Sequence, residues 1–436
     1  MKRKKFYSSV GAALLASSIA LTGCSFSDDE ASGSSDSESS GDNVTVDVFQ
    51  QKVEFRDQFE ELVAIYEEEN PGVNINVQTV GGGNDYEGAL KSNFSSGDEP
   101  DIFNADGPTA VTEYEDYLAD VSGTKAADAA LDGTLSGVKR DGEILGLPFN
   151  QEGYGLLYNK KVFEDAGIDA DSIKTHEDLE KAVETLDSQK EDLGIEAPFA
   201  LAAKEQWVIG SHLANTFLAE EFNHDVMEAY EAESVEFTMG DQMKRFLDLQ
   251  NEYSVKPTLS LDYSQQVEEH FSLGNVAMIQ QGNWVYNTIE AMDPEFAENN
   301  VGILPIPVEG YEGSLPVGVP NYWVVNKESE DEVVEASKNF LDWMYTSESG
   351  KKFVTDEFKF VPAYEGYEDL EIADPISQEI YNYASNGDTI GWVFLGAPTA
   401  WTESEMAASM QEYLAGDITW EEVEEQASSA WADARQ

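Results

Sequence analysis

The sequence predicts an α/β protein whose body is a parallel sheet covered by helices. Three observations support this prediction: strand-like segments that alternate apolar and polar residues, helical segments with one apolar stripe, and a chain of 436 residues of which 41% are hydrophobic. Strands that alternate with helices are typical of a parallel sheet with covering helices. The length is comfortable for two domains.

The body opens with the order strand, helix, strand, helix, strand. Alternating or apolar runs predict the strands, and apolar residues at helical spacing predict the helices, the first of which ends at Asn70-Pro71-Gly72. The predicted strands are 43–50 (NVTVDVFQ), 73–77 (VNINV) and 100–103 (PDIF), and the predicted helices are 55–69 and 86–94. Ligands of such sheets bind beyond the carboxyl ends of the strands.

The same patterns continue to the C terminus without an internal repeat. Further strands are predicted at 155–159, 302–305 and 322–325, a helix end, turn and strand at 271–280, and helices at 160–167, 333–345, 404–414 and 420–431. The alternation of element types therefore extends over the whole body.

The N-terminal residues predict an export signal. Four basic residues at 2–5 precede an apolar run from Val10 to Leu21, which is shorter than the roughly 20 residues that span a bilayer. Leu21-Thr22-Gly23-Cys24 resembles the lipobox of bacterial lipoproteins, which implies cleavage before Cys24 and a thioether-linked diacylglycerol on its sulfur. The alternative is an ordinary signal peptide that contains a cysteine.

The segment after this cysteine predicts a tether. From residue 25 to residue 43 nearly every residue is Ser, Gly, Asp or Glu, and such a composition cannot bury enough apolar surface to fold. We therefore expect a signal peptide at 1–23 and a disordered tether at 24–43, between the lipid and the folded body.

The charge of the chain excludes one class of partner. The sequence has 25 basic and 86 acidic residues, a formal net charge of −61. A body this acidic repels nucleic acid. The acidic residues are scattered along the whole chain, which favours a solvated acidic surface, as on exported proteins of salt-loving or alkaline-living bacteria. Calcium storage or a basic partner is the alternative.

The sequence carries no motif that supports catalysis or metal binding. The four histidines, His176, His212, His224 and His270, show no metal-ligand spacing, and the glycine run 81–83 lacks the lysine of a phosphate loop. We therefore expect no cofactor and no metal. A glycoside hydrolase needs only two carboxylates, which 86 acidic residues provide by chance, so a secreted hydrolase remains an alternative.

Four of the eight tryptophans lie among polar or glycine-rich residues, namely Trp207, Trp284, Trp392 and Trp401. A flat indole ring covers the C–H face of a pyranose while neighbouring amides and carboxylates bind its hydroxyls. These tryptophans therefore favour a sugar site, with core packing as the alternative for each.

Several stretches resemble the extracellular solute-binding proteins of bacterial ABC sugar importers, the maltose-binding-like group. They are FEELVAIYEEENPGVNINV, LKSNFSSGDEPDIFNADG, LPFNQEGYGLLYNKKVFEDAGI, FSLGNVAMIQQGNW and PVGVPNYWVVNKESEDEVVEASKNFLDWMYTSESGKKF. The resemblance implies a two-lobed, type II periplasmic-binding-protein-like fold, with a hinge of crossing strands and a ligand cleft between the lobes. The implied lobes are 44–149 plus 322–360 and 150–321 plus 361–436.

The resemblance also implies which residues line the cleft. Trp284 in Gly-Asn-Trp matches the stacking aromatic of the family best, and Lys52 lies in the loop after the first strand, where an ordinary surface charge is the alternative. The implied ligand-binding residues are Lys52, Glu54, Asn104, Asp106, Trp207, Trp284, Asn321, Asp388 and Trp401. The family does no chemistry, so no catalytic residue is expected.

The implied function is capture of an oligosaccharide outside the cytoplasm and its delivery to the permease subunits of an ABC transporter. We expect a monomer that is lipid-anchored at Cys24 on the outer face of the cell membrane. The stretches VFQQKVE and VQTVGGGNDYEGALK resemble the branch that binds α-1,6-linked oligosaccharides such as raffinose, melibiose and isomaltotriose. A protein of the same fold with a non-sugar ligand, such as a peptide or a metal, is the other alternative.

Overall fold

A computed structural model of the protein describes residues 43–80, 86–131 and 133–436. The predicted signal peptide, Cys24 and the tether up to residue 42 lie outside these residues, as does the whole glycine-rich stretch 81–85. Within the described ranges, none of the helices combines the length and the apolar character that a bilayer crossing requires.

The described residues form strands and helices in alternation. The strands are β1 (Val44–Gln50), β2 (Val73–Thr79), β3 (Ile102–Ala105), β4 (Lys139–Arg140), β5 (Glu143–Ile144), β6 (Leu147–Pro148), β7 (Glu152–Asn159), β8 (Ala197–Phe199), β9 (Val276–Gly282), β10 (Val301–Leu304), β11 (Leu315–Gly318), β12 (Tyr322–Val325) and β13 (Thr389–Ile390).

The helices cover both sheets. They are α1 (Arg56–Glu69), α2 (Tyr86–Ser96), α3 (Gly107–Tyr114), α4 (Lys125–Ala129), α5 (Lys160–Ala166), α6 (His176–Leu193), α7 (Ala214–Leu218), α8 (Val226–Glu231), α9 (Gly240–Glu252), α10 (Tyr286–Met292), α11 (Pro294–Asn300), α12 (Asp331–Thr346), α13 (Glu348–Asp356), α14 (Pro375–Asn386), α15 (Ala408–Ala415) and α16 (Trp420–Ala434). Three π-helical segments add to them, Trp207–Leu213, Gln265–Phe271 and Trp401–Ala407.

The first lobe is built on a five-stranded sheet in the order β2-β1-β3-β12-β6. Strand β1 pairs in parallel with β2 and β3, which confirms the parallel opening predicted from the alternation of strands and helices. The predicted apolar stripe of α1 is buried, at Phe59, Leu62, Val63 and Tyr66. Strands β1 and β3 end side by side, so the residues that follow them meet at one edge of the sheet.

The second lobe is built on a six-stranded sheet in the order β13-β11-β7-β9-β8, with β10 paired to β7. Its central strand β7 runs antiparallel to β9, β10 and β11. It begins at Glu152, three residues before the predicted start. The predicted helix 404–414 also starts early, because the π-helical segment that precedes α15 begins at residue 401.

Three chain segments cross between the lobes and are joined by backbone hydrogen bonds. The N–H of Phe149 donates to the carbonyl of Asn321 at 3.0 Å, and the N–H of Gln151 donates to the carbonyl of Val361 at 2.8 Å. These bonds hold the crossing segments side by side as a hinge.

The third crossing segment packs against both lobes after the implied boundary at 360/361, since Val361 lies in the core of the second lobe. Tyr364 and Tyr367 pack in the core of the first lobe, and the Tyr364 ring stacks on Tyr345 with centroids 4.3 Å apart. The following core residue of the second lobe in this part of the chain is Ile376. The boundary that we propose therefore lies between 367 and 376; the other lobe bounds remain proposals as stated.

Candidate functional site: the cleft between the lobes

Six ring-bearing side chains pack side by side on the second lobe and form what we call the aromatic face, within which Tyr154 is fully buried. Its members are Tyr154, Trp207, His212, Trp284, Trp392 and Phe394. His212 is central: its ring stacks on Tyr154 at 4.4 Å between centroids and lies 5.0 Å from Trp284 and 5.7 Å from Trp392. The ring of Trp207 lies 6.1 Å from that of Trp284. These rings come from β7, the π-helical segment at 207–213 and the segments after β9 and β13.

The imidazole ring of His212 is uncharged in the folded protein. Burial, together with the smaller effect of the Lys52 ammonium, lowers its pKa to about 3. At neutral pH the imidazole is therefore uncharged. The aromatic face thus presents flat, neutral rings along its length.

Two glycines make room for the indoles. A Cβ at Gly282 would lie 2.3 Å from Cζ3 of Trp284, and a Cβ at Gly318 would lie 2.3 Å from Cγ of Trp392. Both distances are too short for any side chain. The indoles therefore lie directly on the backbone of β9 and β11, which fixes the height of the aromatic face above the sheet.

Asn215 holds the Trp392 segment in place. Its Oδ1 accepts from the N–H groups of Val393 (2.7 Å) and Phe394 (3.1 Å), and its Nδ2 donates to the hydroxyl of Tyr154 (2.9 Å) and the carbonyl of Gly391 (3.1 Å). The side chain is 1% exposed. One buried amide thus links β7 to both sides of Trp392.

Opposite the aromatic face, the first lobe presents Gln51, Lys52, Asn104 and Asp106, which we call the polar face. Gln51 donates from Nε2 to Oδ1 of Asp106 at 2.7 Å and from its backbone N–H to Oδ1 of Asn104 at 3.1 Å. Burial raises the pKa of Asp106 to about 6, against the hydrogen bond from Gln51 and the charge of Lys52, which lower it. Asn104 is buried, and its Nδ2 has no hydrogen-bond partner among the described residues.

An ion pair crosses the cleft and joins the two faces. Nζ of Lys52 lies 2.6 Å from Oε1 of Glu152, at the start of β7 in the second lobe. The two side chains are only 15% and 8% exposed. The two lobes are therefore in contact across the cleft in this structure.

A cavity of about 210 Å³ adjoins the aromatic face at Trp392, and we call it the interlobe cavity. Its walls come from both lobes and from the hinge, including Pro108, Thr134, Gln151, His224 and Trp392. None of its sixteen described lining residues is an acidic residue, a lysine or an arginine. Burial also lowers the pKa of His224. Nε1 of Trp392 and Nε2 of His224 are buried without a hydrogen-bond partner within the described part of the chain.

Cavities elsewhere on the molecule have a different lining. The cavity of about 370 Å³ beside α6 and α9 includes Lys174, Glu177 and Arg245, and the cavity of about 990 Å³ beside α10 and α14 includes Glu290 and Glu379. About a quarter of all residues are charged. The interlobe cavity is thus neutral in a very acidic protein.

The structure brings together five of the nine residues implied by the resemblance. Lys52, Asn104 and Asp106 lie on the polar face, and Trp207 and Trp284 lie on the aromatic face. Glu54 lies in the helical turn Val53–Phe55, and its side chain is outside the described structure. Asn321 lies buried in the hinge, where its carbonyl accepts from Phe149.

Two of the nine are placed elsewhere. Trp401 is 3% exposed, donates from Nε1 to the carbonyl of Ala427 at 2.8 Å and packs on Trp431, so it belongs to the core of the second lobe. Asp388 is exposed, and its carbonyl accepts from the N–H of Leu315 at the start of β11. The cleft lies at the other end of that strand, where Gly318 contacts Trp392. We therefore leave both residues out of the site.

Six residues of the two faces and the ion pair are absent from the implied set. They are Gln51, Glu152, Tyr154, His212, Trp392 and Phe394. Trp392 is among the four tryptophans that the sequence singles out, and it follows a glycine directly. The signal for Glu152 and Tyr154 is their position in NQEGYG at the first crossing between the lobes. For His212 the sequence offers no signal beyond its closeness to Trp207.

The described residues contain no group of three or more His, Cys, Asp or Glu side chains that is placed to hold a metal ion. The polar groups of the cleft are instead a mixture of amides, one ammonium and carboxylates. Such a set can donate to and accept from hydroxyl groups.

Comparisons with known proteins agree with this two-lobed arrangement. The multiple sugar-binding protein of Streptococcus mutans serotype c is 23% identical over 332 residues, which cover 73% of this chain and 74% of that protein. The melibiose/raffinose/stachyose-binding protein MelE of Bacillus subtilis (strain 168) is 22% identical over 357 residues, which cover 78% of this chain and 81% of that protein.

Solved structures show the same fold. A chitin oligosaccharide binding protein superimposes with a TM-score of 0.75 at 24% identity, over 91% of this chain and 100% of that one. RafE in complex with raffinose gives a TM-score of 0.72 at 19% identity, over 90% and 100%. Residues 52–351, more than half of the chain, match the family described as bacterial extracellular solute-binding proteins. The chain belongs to this family of binding proteins, which are not enzymes.

Proposed function

We propose that this protein captures an oligosaccharide in the cleft between its lobes and delivers it to the permease of an ABC transporter. The observation that carries the proposal is the aromatic face, continued by the neutral interlobe cavity. Flat rings suit the C–H faces of sugar rings, and a few polar groups around them suit hydroxyls. The two relatives, a multiple sugar-binding protein and a melibiose/raffinose/stachyose-binding protein, support the same ligand class.

The sugar that we propose is an α-1,6-linked oligosaccharide of the raffinose, melibiose or isomaltotriose type. The name of MelE and the raffinose complex of RafE support this choice. The extent of the site supports a ligand of several sugar units, because the aromatic face and the interlobe cavity adjoin each other at Trp392, which belongs to both.

We also propose that Cys24 anchors the protein to the outer face of the cell membrane through lipid. The support is the sequence Leu21-Thr22-Gly23-Cys24 and the polar segment that follows it. Metabolic labelling with a radioactive fatty acid tests this: label should enter the wild-type protein and be absent from Cys24→Ser. Equal labelling of both proteins would refute the anchor.

The first test of function is a titration of the purified protein, followed by intrinsic tryptophan fluorescence and repeated by calorimetry. The panel is raffinose, melibiose, isomaltotriose, maltotriose and a xylo-oligosaccharide, with glutamate and a short peptide as non-sugar controls. Saturable binding of an α-1,6-linked sugar supports the whole proposal. Binding of another sugar only would keep sugar capture and refute the proposed linkage. Binding of a control alone would refute sugar capture.

A further inference from the structure

We propose that Glu152, with Lys52 and Asp106, makes the cleft select neutral sugars and reject sugars that carry a carboxylate. The inference rests on the proposed function, because it concerns which sugars the same cleft accepts. It assigns a specificity role to an ion pair that joins the two faces of the cleft.

The geometry shows that the ammonium of Lys52 is already engaged. Its Nζ lies 2.6 Å from Oε1 of Glu152, and both side chains are largely buried. If Lys52 turned to a carboxylate on the ligand, Glu152 would be left as a buried charge without its cation, which is costly. Lys52 therefore does not offer a free anion site in the closed cleft.

Acidic groups outnumber basic groups around Lys52. Among the described side chains, two carboxyl groups, Glu152 and Asp106, share the ammonium of Lys52, and they are close enough to each other that Glu152 raises the pKa of Asp106. The described residues of the adjoining interlobe cavity include neither lysine nor arginine. A ligand carboxylate would thus be a third acidic group beside one cation, within a mostly enclosed space where like charges repel strongly.

The hydroxyl groups of a neutral sugar are not repelled by these carboxyl groups. A hydroxyl can donate to a carboxylate oxygen of Glu152 or Asp106 and accept from the ammonium of Lys52, so the ion pair stays intact. Hydrogen bonds to charged groups are also stronger than those between neutral groups. The same three side chains that repel a uronate can therefore bind a neutral sugar.

The test compares each neutral sugar with its own acid. Raffinose, melibiose, isomaltotriose and maltotriose are each measured by calorimetry beside the derivative in which one C6 hydroxyl is oxidised to a carboxylate. The proteins are the wild type, Glu152→Gln and the control Glu290→Gln. Glu290 also pairs with a lysine, Lys359 at 2.5 Å, but it lies outside both faces of the cleft.

We expect the wild type to bind a neutral sugar at least about tenfold more tightly than its acid, a difference of one strong like-charge contact. Glu152→Gln should narrow this ratio several-fold, and Glu290→Gln should leave it unchanged. Asp106→Asn provides a second variant, which should also narrow the ratio, in case Glu152→Gln folds poorly.

Three results would overturn the inference. The first is equal binding of sugar and acid. The second is tighter binding of the acid, which would make Lys52 an anion receptor. The third is a ratio that Glu152→Gln and Asp106→Asn leave unchanged, which would make the rejection steric. Failure of every sugar and every acid to bind would refute the proposed function itself, and this inference with it.

Discussion

The two faces of the cleft differ in composition and in how they are held. The aromatic face lies on regular structure: β7 carries Tyr154, and the indoles of Trp284 and Trp392 rest on glycines of β9 and β11. The polar face consists of residues in the last part of β3 or directly after β1 and β3, joined by hydrogen bonds from Gln51. The second lobe thus offers rigid contact area, and the first lobe offers donors and acceptors.

This difference separates affinity from selectivity. Buried aromatic area provides most of the binding energy at a typical site, and polar groups fix orientation and reject the wrong ligand. Substitutions on the aromatic face should therefore weaken binding of every sugar, whereas substitutions on the polar face should change which sugar is preferred.

The largest effect is expected for Trp284→Ala on the aromatic face. Loss of a buried aromatic anchor costs about 2–4 kcal/mol in binding, so the dissociation constant should rise by roughly 30-fold or more for every sugar that binds. Calorimetry measures the change. Trp343→Ala is the matched control, because Trp343 is also half-buried but donates to Glu69 on the outside of the first lobe. An equal loss in both variants would contradict a specific role for Trp284.

Asp106 should make the polar face sensitive to pH. Its pKa is about 6 in the fold, against an ordinary value of 3.8. Because the folded state binds this proton more tightly, Asp106 favours folding most below pH 3.8, and this contribution falls as the pH rises through 6. The full change is about 3 kcal/mol.

The variant Asp106→Asn isolates this contribution. Denaturant unfolding of both proteins from pH 4 to pH 7 measures it: the difference in the free energy of unfolding, wild type minus variant, should fall by a few kcal/mol over the interval. His212 has the opposite effect on stability, because its lowered pKa destabilises the fold as the pH falls below 6.5. This effect is present in both proteins and therefore cancels when their free energies of unfolding are subtracted. If the difference in the free energy of unfolding did not change with pH, Asp106 would not be buried.

A smaller effect is expected for Asn215→Ala, which tests how rigidly the aromatic face is held. The substitution removes four hydrogen bonds at a fully buried position and should lower the free energy of unfolding by about 2–3 kcal/mol. Sugar affinity should fall about tenfold, because Trp392 loses its fixed position. Asn215→Asp retains an acceptor for the N–H groups of Val393 and Phe394 and should recover part of both losses. Unchanged affinity in Asn215→Ala would show that Trp392 does not contact the ligand.

Local sequence patterns predicted most of the fold but only part of the site. Helical and strand periodicity predicted α1, β2 and β12 within two residues, since these patterns depend on neighbours in sequence. Trp284 and Trp401 both stand among polar residues, yet Trp401 is buried, because its environment is set by Ala427 and Trp431. The Lys52–Glu152 pair joins residues 100 positions apart, which no local pattern indicates.

The smallest effect on sugar binding is expected at a contact between the lobes that lies outside the aromatic face and the polar face. The hydroxyl of Tyr230 on α8 donates to Oγ1 of Thr112 on α3 at 3.0 Å, and both groups are exposed. A bond between exposed neutral groups contributes about 0.5–1 kcal/mol, so Tyr230→Phe should weaken sugar binding only about two- to fivefold. The ring contacts with Arg140 and Arg435 remain in this variant. A double-mutant cycle with Thr112→Val separates the bond from other effects of each change. A positive coupling would show that closure of the lobes contributes to affinity apart from either face, whereas additive losses would place all of the affinity in the two faces.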